Sequence, residues 1–427
     1  MFKNLTKSEK SWVLYDVGNS AFTMLACSMI PIWFKELAIG TAPGQITGDQ
    51  ATAYYAMAVA VVTIVVALIG PVIGALADRR DMKKIFFTTA VALGVTGCIL
   101  NGFALSWVSF LVIYVLAKIC YASSLTIYDS MLNDVTTDER MDEVSSYGYA
   151  WGYLGSCIPF CVALGAYVIS GGLSESLMLI SPRLGKIIGF TVTAIWWILV
   201  TIPLIRNYRQ VNYTERSKGS VSHVFGKIFR TLKDIALRDR KVLFFLIAFF
   251  LYIDGVGTII DNCINIGTDL GLPTVGQVIF LVATQVVAWG GSLVFAKLSH
   301  KYATGPLILV CIAGYFAVCL YALTLKTLLH FGILAFGVGC FQGSIQSLSR
   351  SYYSKIIPPE NSGEYFGLYD IFSKGASFLG SAVIATVKLA GGTINIAVAS
   401  LAVFFLLGFV FLKISDSKPT LNRQNAE

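Results

Sequence analysis

Residues 74–84 read Gly-Ala-Leu-Ala-Asp-Arg-Arg-Asp-Met-Lys-Lys and separate two long apolar runs. Gly74 would let two helices approach closely, and Asp78 offers an anion to the positive N-terminus of a neighbouring helix. The basic cluster that follows is typical of loops on the inner side of a membrane. Loop charge alone would explain Arg79 and Lys83, but neither the glycine nor the aspartate. The segment therefore predicts a short cytoplasmic loop between two membrane-spanning helices.

The composition of the chain requires lipid as its solvent. The 427 residues are 56% hydrophobic and only 13% charged, whereas soluble domains carry about 25% charged residues. Apolar runs long enough to span a bilayer alternate with short charged segments. We expect an all-α membrane protein with twelve transmembrane helices, near 11–38, 51–76, 84–104, 107–131, 144–170, 184–205, 241–266, 275–296, 305–325, 329–350, 361–387 and 393–413.

The basic residues predict the orientation of these spans. Of the 32 lysines and arginines, 25 fall in loops and tails that would share one side, five fall on the other side, and two lie inside spans. Such a bias places both termini in the cytoplasm, at the inner membrane if the organism is bacterial. We divide the chain into a six-helix bundle over 1–205, a linker over 206–240, and a second six-helix bundle over 241–427.

The linker contains a second type of helix. Apolar residues recur at helical spacing from Val221 to Ile235, and Lys227, Arg230 and Lys233 lie on the other face. This pattern predicts an amphipathic helix on the inner membrane surface. A linker that covers and tethers the two bundles explains it, and a regulatory or partner-binding helix is the alternative.

Several functional classes find no support in the sequence. The nine cysteines lie mostly in apolar runs without a Cys-x-x-Cys pair, and the three histidines lie in or near loops. We therefore expect neither disulfide nor metal nor cofactor. No phosphate-binding Gly-x-x-x-x-Gly-Lys loop is present, so ATP does not drive the chain. We expect no enzymatic activity, no nucleic-acid partner despite the net charge of +8, and a monomer in the bilayer.

The two bundles carry a faint internal repeat. Residues 15–18, Tyr-Asp-Val-Gly, have an echo in residues 252–255, Tyr-Ile-Asp-Gly, in which Asp254 stands for Asp16. Residues 153–155, Tyr-Leu-Gly, match residues 378–380, Phe-Leu-Gly. Repeats of this kind indicate two halves related by an axis along the membrane normal.

The 74–84 loop resembles the signature loop of the major facilitator superfamily, with Asp81 where that family usually has glycine. A narrower resemblance is to the vacuole-effluxer-like branch, which includes the autophagy-related effluxer of fungal vacuoles. The segments that carry this resemblance are 12–22, 252–256, 346–351 and 363–369. Span 4 differs from the family pattern, because Tyr128 is followed by Asp129 rather than asparagine. The resemblance implies two six-helix bundles and amino-acid export. It assigns gating or motif roles to Gly74, Asp78, Arg79, Lys83, Arg350 and Glu364.

Polar side chains at mid-membrane depth are the candidate solute site, because ionisable groups inside spans are costly. They are Asn19, Thr23, Lys118, Tyr121, Tyr252, Asp254, Gln285, Gln342 and Lys374. A lysine could hold the carboxylate of a zwitterion and Asp254 its ammonium group. In the structural alternative, Lys374 pairs with Asp254 or with Asp370, four residues before it.

Two further aspartates, Asp16 and Asp129, lie nearer the cytoplasmic face. A gating role is possible, and solvated helix ends are the interpretation we favour. We expect a secondary or facilitative transporter of a small polar or zwitterionic solute, with a proton on Asp254 as one possible coupling. A transporter of lipid or lipophilic compounds, and a nutrient sensor that does not transport, are the alternatives.

The charge distribution gives a direct test of topology. An engineered cysteine between residues 212 and 222 should react with a membrane-impermeant thiol reagent only after the cells are permeabilised. Labelling of that cysteine on intact cells would contradict the cytoplasmic placement of the linker and of both termini.

Overall fold

The computed structural model describes residues 4–215, 221–374 and 377–419, and its regular structure in these ranges is helical apart from isolated bridges. The α-helices, in chain order, are α1 Lys7–Ala38, α2 Gly48–Ala77, α3 Lys83–Phe103, α4 Trp107–Ser130, α5 Leu132–Val135, α6 Met141–Ile169, α7 Pro182–Asn207, α8 Val221–Leu237, α9 Arg240–Asp261, α10 Cys263–Asp269, α11 Thr274–Leu298, α12 Thr304–Tyr321, α13 Leu328–Ile356, α14 Ser362–Lys374, α15 Ser377–Leu389, α16 Ile394–Ser400 and α17 Ala402–Asp416.

Helix length and composition confirm a polytopic all-α fold. Within the described ranges, eleven segments are long and apolar enough to cross a membrane. The eleventh predicted span falls on α14 and α15, on either side of residues 375 and 376, which lie outside the described part of the chain. The lengths are those that a hydrocarbon layer about 30 Å thick requires.

Several predicted span boundaries were wrong. The seventh span ends at Asp261 rather than near 266, and α10 continues after it. The twelfth agrees with its prediction over 393–413, because α16 and α17 together form one apolar segment, Ile394–Asp416. The tenth, α13, continues past residue 350 to Ile356. The last difference arises because the final turns of α13 are buried against protein, so polar residues can extend the helix there.

Polar caps define where the long helices begin. The hydroxyls of Thr6, Thr47 and Ser106 each accept a backbone N–H from the first turn of α1, α2 and α4, respectively. Each cap satisfies donors that a helix N-terminus otherwise leaves unpaired. The helix starts are therefore encoded locally, ahead of the apolar residues that cross the bilayer.

Buried apolar side chains form two main cores. One is built from residues 5–208 and the other mainly from residues 228–412, with Ala75 of α2 joining the second. The glycines of α2 and α14 bring the two halves into backbone contact. A Cβ added to Gly74 would overlap the carbonyl of Gly363, and one added to Gly367 would overlap the backbone at Pro71.

The internal repeat is visible in matching side-chain pairs. The Tyr15 hydroxyl lies 2.6 Å from Ser124 Oγ, between α1 and α4. The Tyr252 hydroxyl lies 2.6 Å from Ser349 Oγ, between α9 and α13. This equivalence of Tyr15 with Tyr252 aligns α9 on α1 without a gap.

The alignment corrects one sequence-based match. With the tyrosines superposed, Asp254 corresponds to Val17, and Asp16 corresponds to an isoleucine. The packing agrees, because a Cβ on Gly155 would meet Val17, and a Cβ on Gly380 would meet Asp254. Asp254 is therefore not the counterpart of Asp16, since the two side chains leave their helices in different directions.

The predicted linker helix is present as α8. Ile228 and Ile235 are buried against the bundle, while Phe225 and Phe229 are exposed. Residues 216–220 and the side chains of 221–224 lie outside the described part. The buried isoleucines agree with a covering linker, and the exposed phenylalanines leave an apolar strip on its outer face.

The glycine contact between α2 and α14 is open to a stability test. Gly74→Ala places a methyl group against the Gly363 carbonyl and should reduce the free energy of unfolding by about 1–3 kcal/mol, as overpacking does. Gly165→Ala is the matched control, because no atom lies within 4 Å of its added Cβ. The measurement is thermal unfolding in detergent, and equal midpoints for the two variants would refute the contact.

Candidate functional site

The end of the bundle that carries Asp78, here called the Asp78 end, is closed by contacts between the halves. The Asp78 carboxylate accepts the backbone N–H of Gly363 at 2.8 Å and of Glu364 at 2.9 Å. Both belong to the first turn of α14, where unpaired N–H groups and the helix dipole favour an anion. The contact is of the kind predicted for Asp78 from the sequence.

Buried charges surround this contact. Lys83 is fully buried, and its Nζ lies 3.5 Å from both Asp78 and Asp134 and 3.0 Å from Ser362 Oγ. Burial raises the pKa of Asp78 to about 6, although Lys83 and the N–H groups of Glu364 and Gly363 favour the ionised form. Lys83 and the two N–H groups thus offset part of the cost of burying the Asp78 carboxylate.

The other signature residues have distinct places. Arg79 is half-buried, and its backbone forms an isolated bridge with Thr214. Asp81, which stands where the resembling family has glycine, has a φ of 63°. That left-handed conformation normally favours glycine. Glu364 is buried and pairs with Lys227 of α8 at 2.9 Å, so the linker helix also joins the network.

A second set of contacts lies deeper and centres on Arg350 of α13. Its guanidinium lies 3.1 Å from Asp16 of α1 and 3.0 Å from Asp129 of α4. It also donates to the hydroxyl of Ser145 at 3.0 Å and packs over the rings of Trp12 and Tyr149. We call Arg350, Asp16 and Asp129 the arginine clamp, because it joins α13 to helices of the other half.

The clamp corrects the interpretation of Asp16 and Asp129 as solvated helix ends. Their side chains are only 9% and 15% exposed, and that of Arg350 is 3% exposed. Their positions along α1 and α4 suggested hydrated helix ends near the cytoplasmic face. In the fold, α13 places the Arg350 guanidinium beside both carboxylates. The charges are thus buried between the halves rather than hydrated.

Further polar residues at this end were not predicted from the sequence. Asp142 of α6 accepts from Ser351, and it pairs with Lys355 at 2.8 Å. Ser145 and Ser347 are hydrogen-bonded across the same interface. The serines that alternate around Arg350 in residues 344–354 were the available signal, since so many small polar residues in one apolar span require partners.

Four of the predicted mid-depth residues come together in the first half. The hydroxyls of Thr23 and Tyr121 are hydrogen-bonded, and Tyr121 also reaches the amide oxygen of Asn19 at 3.5 Å. Lys118 Nζ lies 4.8 Å from the centre of the Tyr121 ring. Asn19 donates to Asp16 at 3.1 Å, so a polar chain runs from Lys118 to the arginine clamp.

The second half contributes a small apolar cavity between α9, α11 and α13. Gln285 and Gln342 line it, together with Thr284 and mainly apolar residues such as Leu281 and Phe331. This cavity is bounded by two of the residues predicted from depth alone, and its few polar groups could orient a bound molecule.

The remaining predicted residues lie elsewhere. Tyr252 is buried and bonded to Ser349, in a packing position that Tyr15 repeats. Asp254 is buried where α9 packs on α15 and is not among the residues that line the cavity. The side chain of Lys374 lies outside the described residues, so its pairing with Asp254 or Asp370 stays a prediction.

The protein has two helical halves that meet at the Asp78 end, with polar residues at mid-depth. This arrangement is that of the major facilitator class of membrane transporters. Solved structures of that class share the fold. FucP in its outward conformation has a TM-score of 0.71 and 15% identity, over 96% of this chain and 98% of FucP. The proton:xylose symporter XylE has a TM-score of 0.70 and 12% identity, over 96% of this chain and 94% of XylE.

The chain belongs to the family described as vacuole effluxer Atg22 like, whose model matches residues 6–425. It is 37% identical to the uncharacterized MFS-type transporter YxiO of Bacillus subtilis over 416 residues. The aligned region covers 96% of this chain and 95% of YxiO. Autophagy-related protein 22-1 of Neosartorya fischeri is 25% identical over 64% of this chain and 48% of its own length. The chain thus spans about half the length of that fungal relative, and the family resemblance is confirmed.

The arginine clamp predicts a stability difference. Arg350→Gln leaves Asp16 and Asp129 buried without their cation, which should cost about 3–5 kcal/mol. Neutralising both aspartates as well, by Asp16→Asn and Asp129→Asn, should recover much of that loss. Thermal unfolding checks both, with Lys297→Gln at an exposed site as the control. A clamp variant as stable as this control would contradict the proposed ion pairs.

Proposed function

We propose that the chain is a secondary or facilitative transporter that exports a small polar or zwitterionic solute, with amino acids as the leading class, by alternating access. One observation carries the proposal: the Asp78 end is held shut by hydrogen bonds and ion pairs that cross between the halves. Such contacts can be exchanged for water when the halves separate, whereas an apolar core between them would resist opening. The family description as effluxers supports the direction.

The proposed orientation places the Asp78 end in the cytoplasm. It rests on the lysine and arginine bias of the loops. The closed end then corresponds to a state that is shut toward the cytoplasm. Asp78 and the arginine clamp are the two layers that separate when the transporter turns inward.

The mid-depth chain suggests how a zwitterion is held. Lys118 would take the carboxylate, and the oxygens of Thr23, Tyr121 and Asn19 would accept from the ammonium group. The apolar lining of the cavity around Gln285 and Gln342 would receive an apolar side chain. Asn19 also donates through Nδ2 to Asp16, so the proposed solute site is hydrogen-bonded to a member of the arginine clamp.

A second candidate function follows from the same cavity. Its lining is mainly apolar, which favours a lipophilic compound or a lipid over a very polar solute. A sensor on this scaffold would bind solute without moving it.

Counterflow in proteoliposomes separates amino-acid transport, transport of lipophilic compounds and sensing. For an amino-acid transporter, labelled amino acids should enter vesicles preloaded with unlabelled ones. Binding without exchange would indicate a sensor, and exchange of lipophilic compounds alone would replace the amino-acid proposal.

Asp78→Asn should slow transport more than it weakens binding. The amide keeps the shape but loses the charge that faces the N-terminus of α14, a change of about 1 kcal/mol or about fivefold in the population of the closed state. Counterflow rate and solute-induced thermal stabilisation are the two readouts. Asp234→Asn on exposed α8 is the control. An unchanged rate in well-folded Asp78→Asn would count against the gating role.

A further inference from the structure

Asp254 is a buried carboxylate outside the Asp78 contacts, the arginine clamp and the cavity. The residue has no exposed surface, and neither of its oxygens has a hydrogen-bond partner among the described residues. One turn later, Thr258 is equally buried, and its hydroxyl is also unpartnered in that part of the chain. An isolated ionised carboxylate in this setting is too costly to persist. The side chain therefore needs a proton, a cation, or the N–H groups at the start of a neighbouring helix to offset its burial.

Both side chains converge on Gly380 of α15. A Cβ built on Gly380 would overlap the Thr258 hydroxyl and lie 3.0 Å from Asp254 Oδ2. The backbone N–H groups of Leu379 and Gly380, in the first turn of α15, also face the carboxylate and favour its ionised form, whereas burial favours the protonated form. The glycine thus leaves space for two polar groups inside a helix interface.

The internal repeat shows that the fold does not need polar groups here. With Tyr252 placed on Tyr15, Asp254, Thr258 and Asn262 correspond to Val17, Ala21 and Leu25. Ala21 and Leu25 are buried apolar residues in the equivalent interface. This face of α9 therefore carries a carboxylate, a hydroxyl and an amide where the matching face of α1 carries aliphatic side chains.

These polar residues continue to the end of the bundle opposite Asp78. Asn262 is half-buried, and its amide donates to the Thr258 carbonyl at 3.0 Å and reaches Ser381 Oγ at 3.5 Å. Asn265 is exposed and donates to Asn262 at 3.4 Å. Exposure therefore rises from Asp254 to Asn265, and we call Asp254, Thr258, Asn262 and Asn265 the polar stripe.

Several charged groups on the helices that pack on α9 have partners elsewhere. Arg350 of α13 lies in the arginine clamp, Asp370 of α14 accepts from Thr126, and Lys388 of α15 pairs with Asp269. On the remaining elements that pack on α9, Lys227 of α8 pairs with Glu364, and Asp416 of α17 accepts from Tyr352. Asp261 lies exposed at the end of α9 itself. The side chain of Lys374 is outside the described residues, and this lysine is the rival partner of Asp254.

We propose that Asp254 is a proton-binding site, reached along the polar stripe from the end opposite Asp78, and that it couples a proton to the transport proposed above. The proton arrives from water, binds one carboxylate oxygen, and leaves a neutral acid that can donate to the Thr258 hydroxyl. It returns to water when α15 separates from α9. A metal cation fits less well, because three side-chain oxygens fall short of the six or more that hard divalent ions take.

Infrared spectroscopy tests the site without any solute. The purified protein at neutral pH should show the C=O stretching band of a protonated carboxylic acid, and Asp254→Asn should lose it. Asp261→Asn, on the same helix at an exposed position, should keep the band. Asn262→Leu, which copies the first half, should slow the exchange of the acid proton for deuterium at least tenfold, because it blocks the stripe.

Three outcomes would overturn the proposal. The band could persist in Asp254→Asn. It could be absent from the native protein and appear in Lys374→Gln, which would make Asp254 the partner of that lysine. Sodium chloride could raise the unfolding midpoint of the native protein but not of Asp254→Asn, with no band in either.

Transport assays then separate coupling from transport itself. Asp254→Asn should keep counterflow and lose accumulation driven by a pH gradient. Accumulation that survives in Asp254→Asn would refute the coupling. A native protein that shows the band but no counterflow of any amino acid would refute the proposed function while retaining the proton site.

Discussion

The salt bridges of Arg350 are the interaction on which the closed structure depends. One guanidinium from the second half satisfies Asp16 and Asp129 of the first half, and each of these charges would be very costly to bury alone. Because the partners lie on different halves, the helices cannot separate at this level without hydrating three charges together. The clamp therefore stabilises one arrangement of the halves and makes its opening a discrete event rather than a gradual one.

Two layers of contact follow from this constraint. Asp78 holds the first turn of α14 nearer the surface, and it requires the glycines of α2 and α14 to lie backbone to backbone. Deeper in the bundle, Asn19 connects Asp16 to Tyr121 and Thr23. The mid-depth polar chain and the arginine clamp thus share one side chain, Asp16.

The halves repeat one framework but use it differently. The tyrosine–serine pairs occupy matching places in both, which shows that the packing scheme was duplicated. The interface that Val17 fills with an aliphatic side chain carries Asp254 in the other half. An apolar contact was sufficient for folding, so the carboxylate is better explained by function than by stability.

The sequence by itself determined the membrane class, the all-α fold, the family and the importance of Asp78. These properties depend on local signals: apolar runs of membrane-spanning length, hydroxyl caps such as Thr6 and Thr47, and a short loop motif. It also singled out Lys118, Tyr121, Asn19 and Thr23, since polar residues at mid-depth are costly wherever they occur.

Only the tertiary structure decided which charges meet. Residues 334 positions apart, Asp16 and Arg350, form one ion pair, and no periodicity along the chain relates them. Depth alone grouped Asp254 with Lys118, but helix rotation directs the aspartate toward α15. A sequence records how far along a helix a residue lies, whereas its partner depends on the rotation and packing of neighbouring helices.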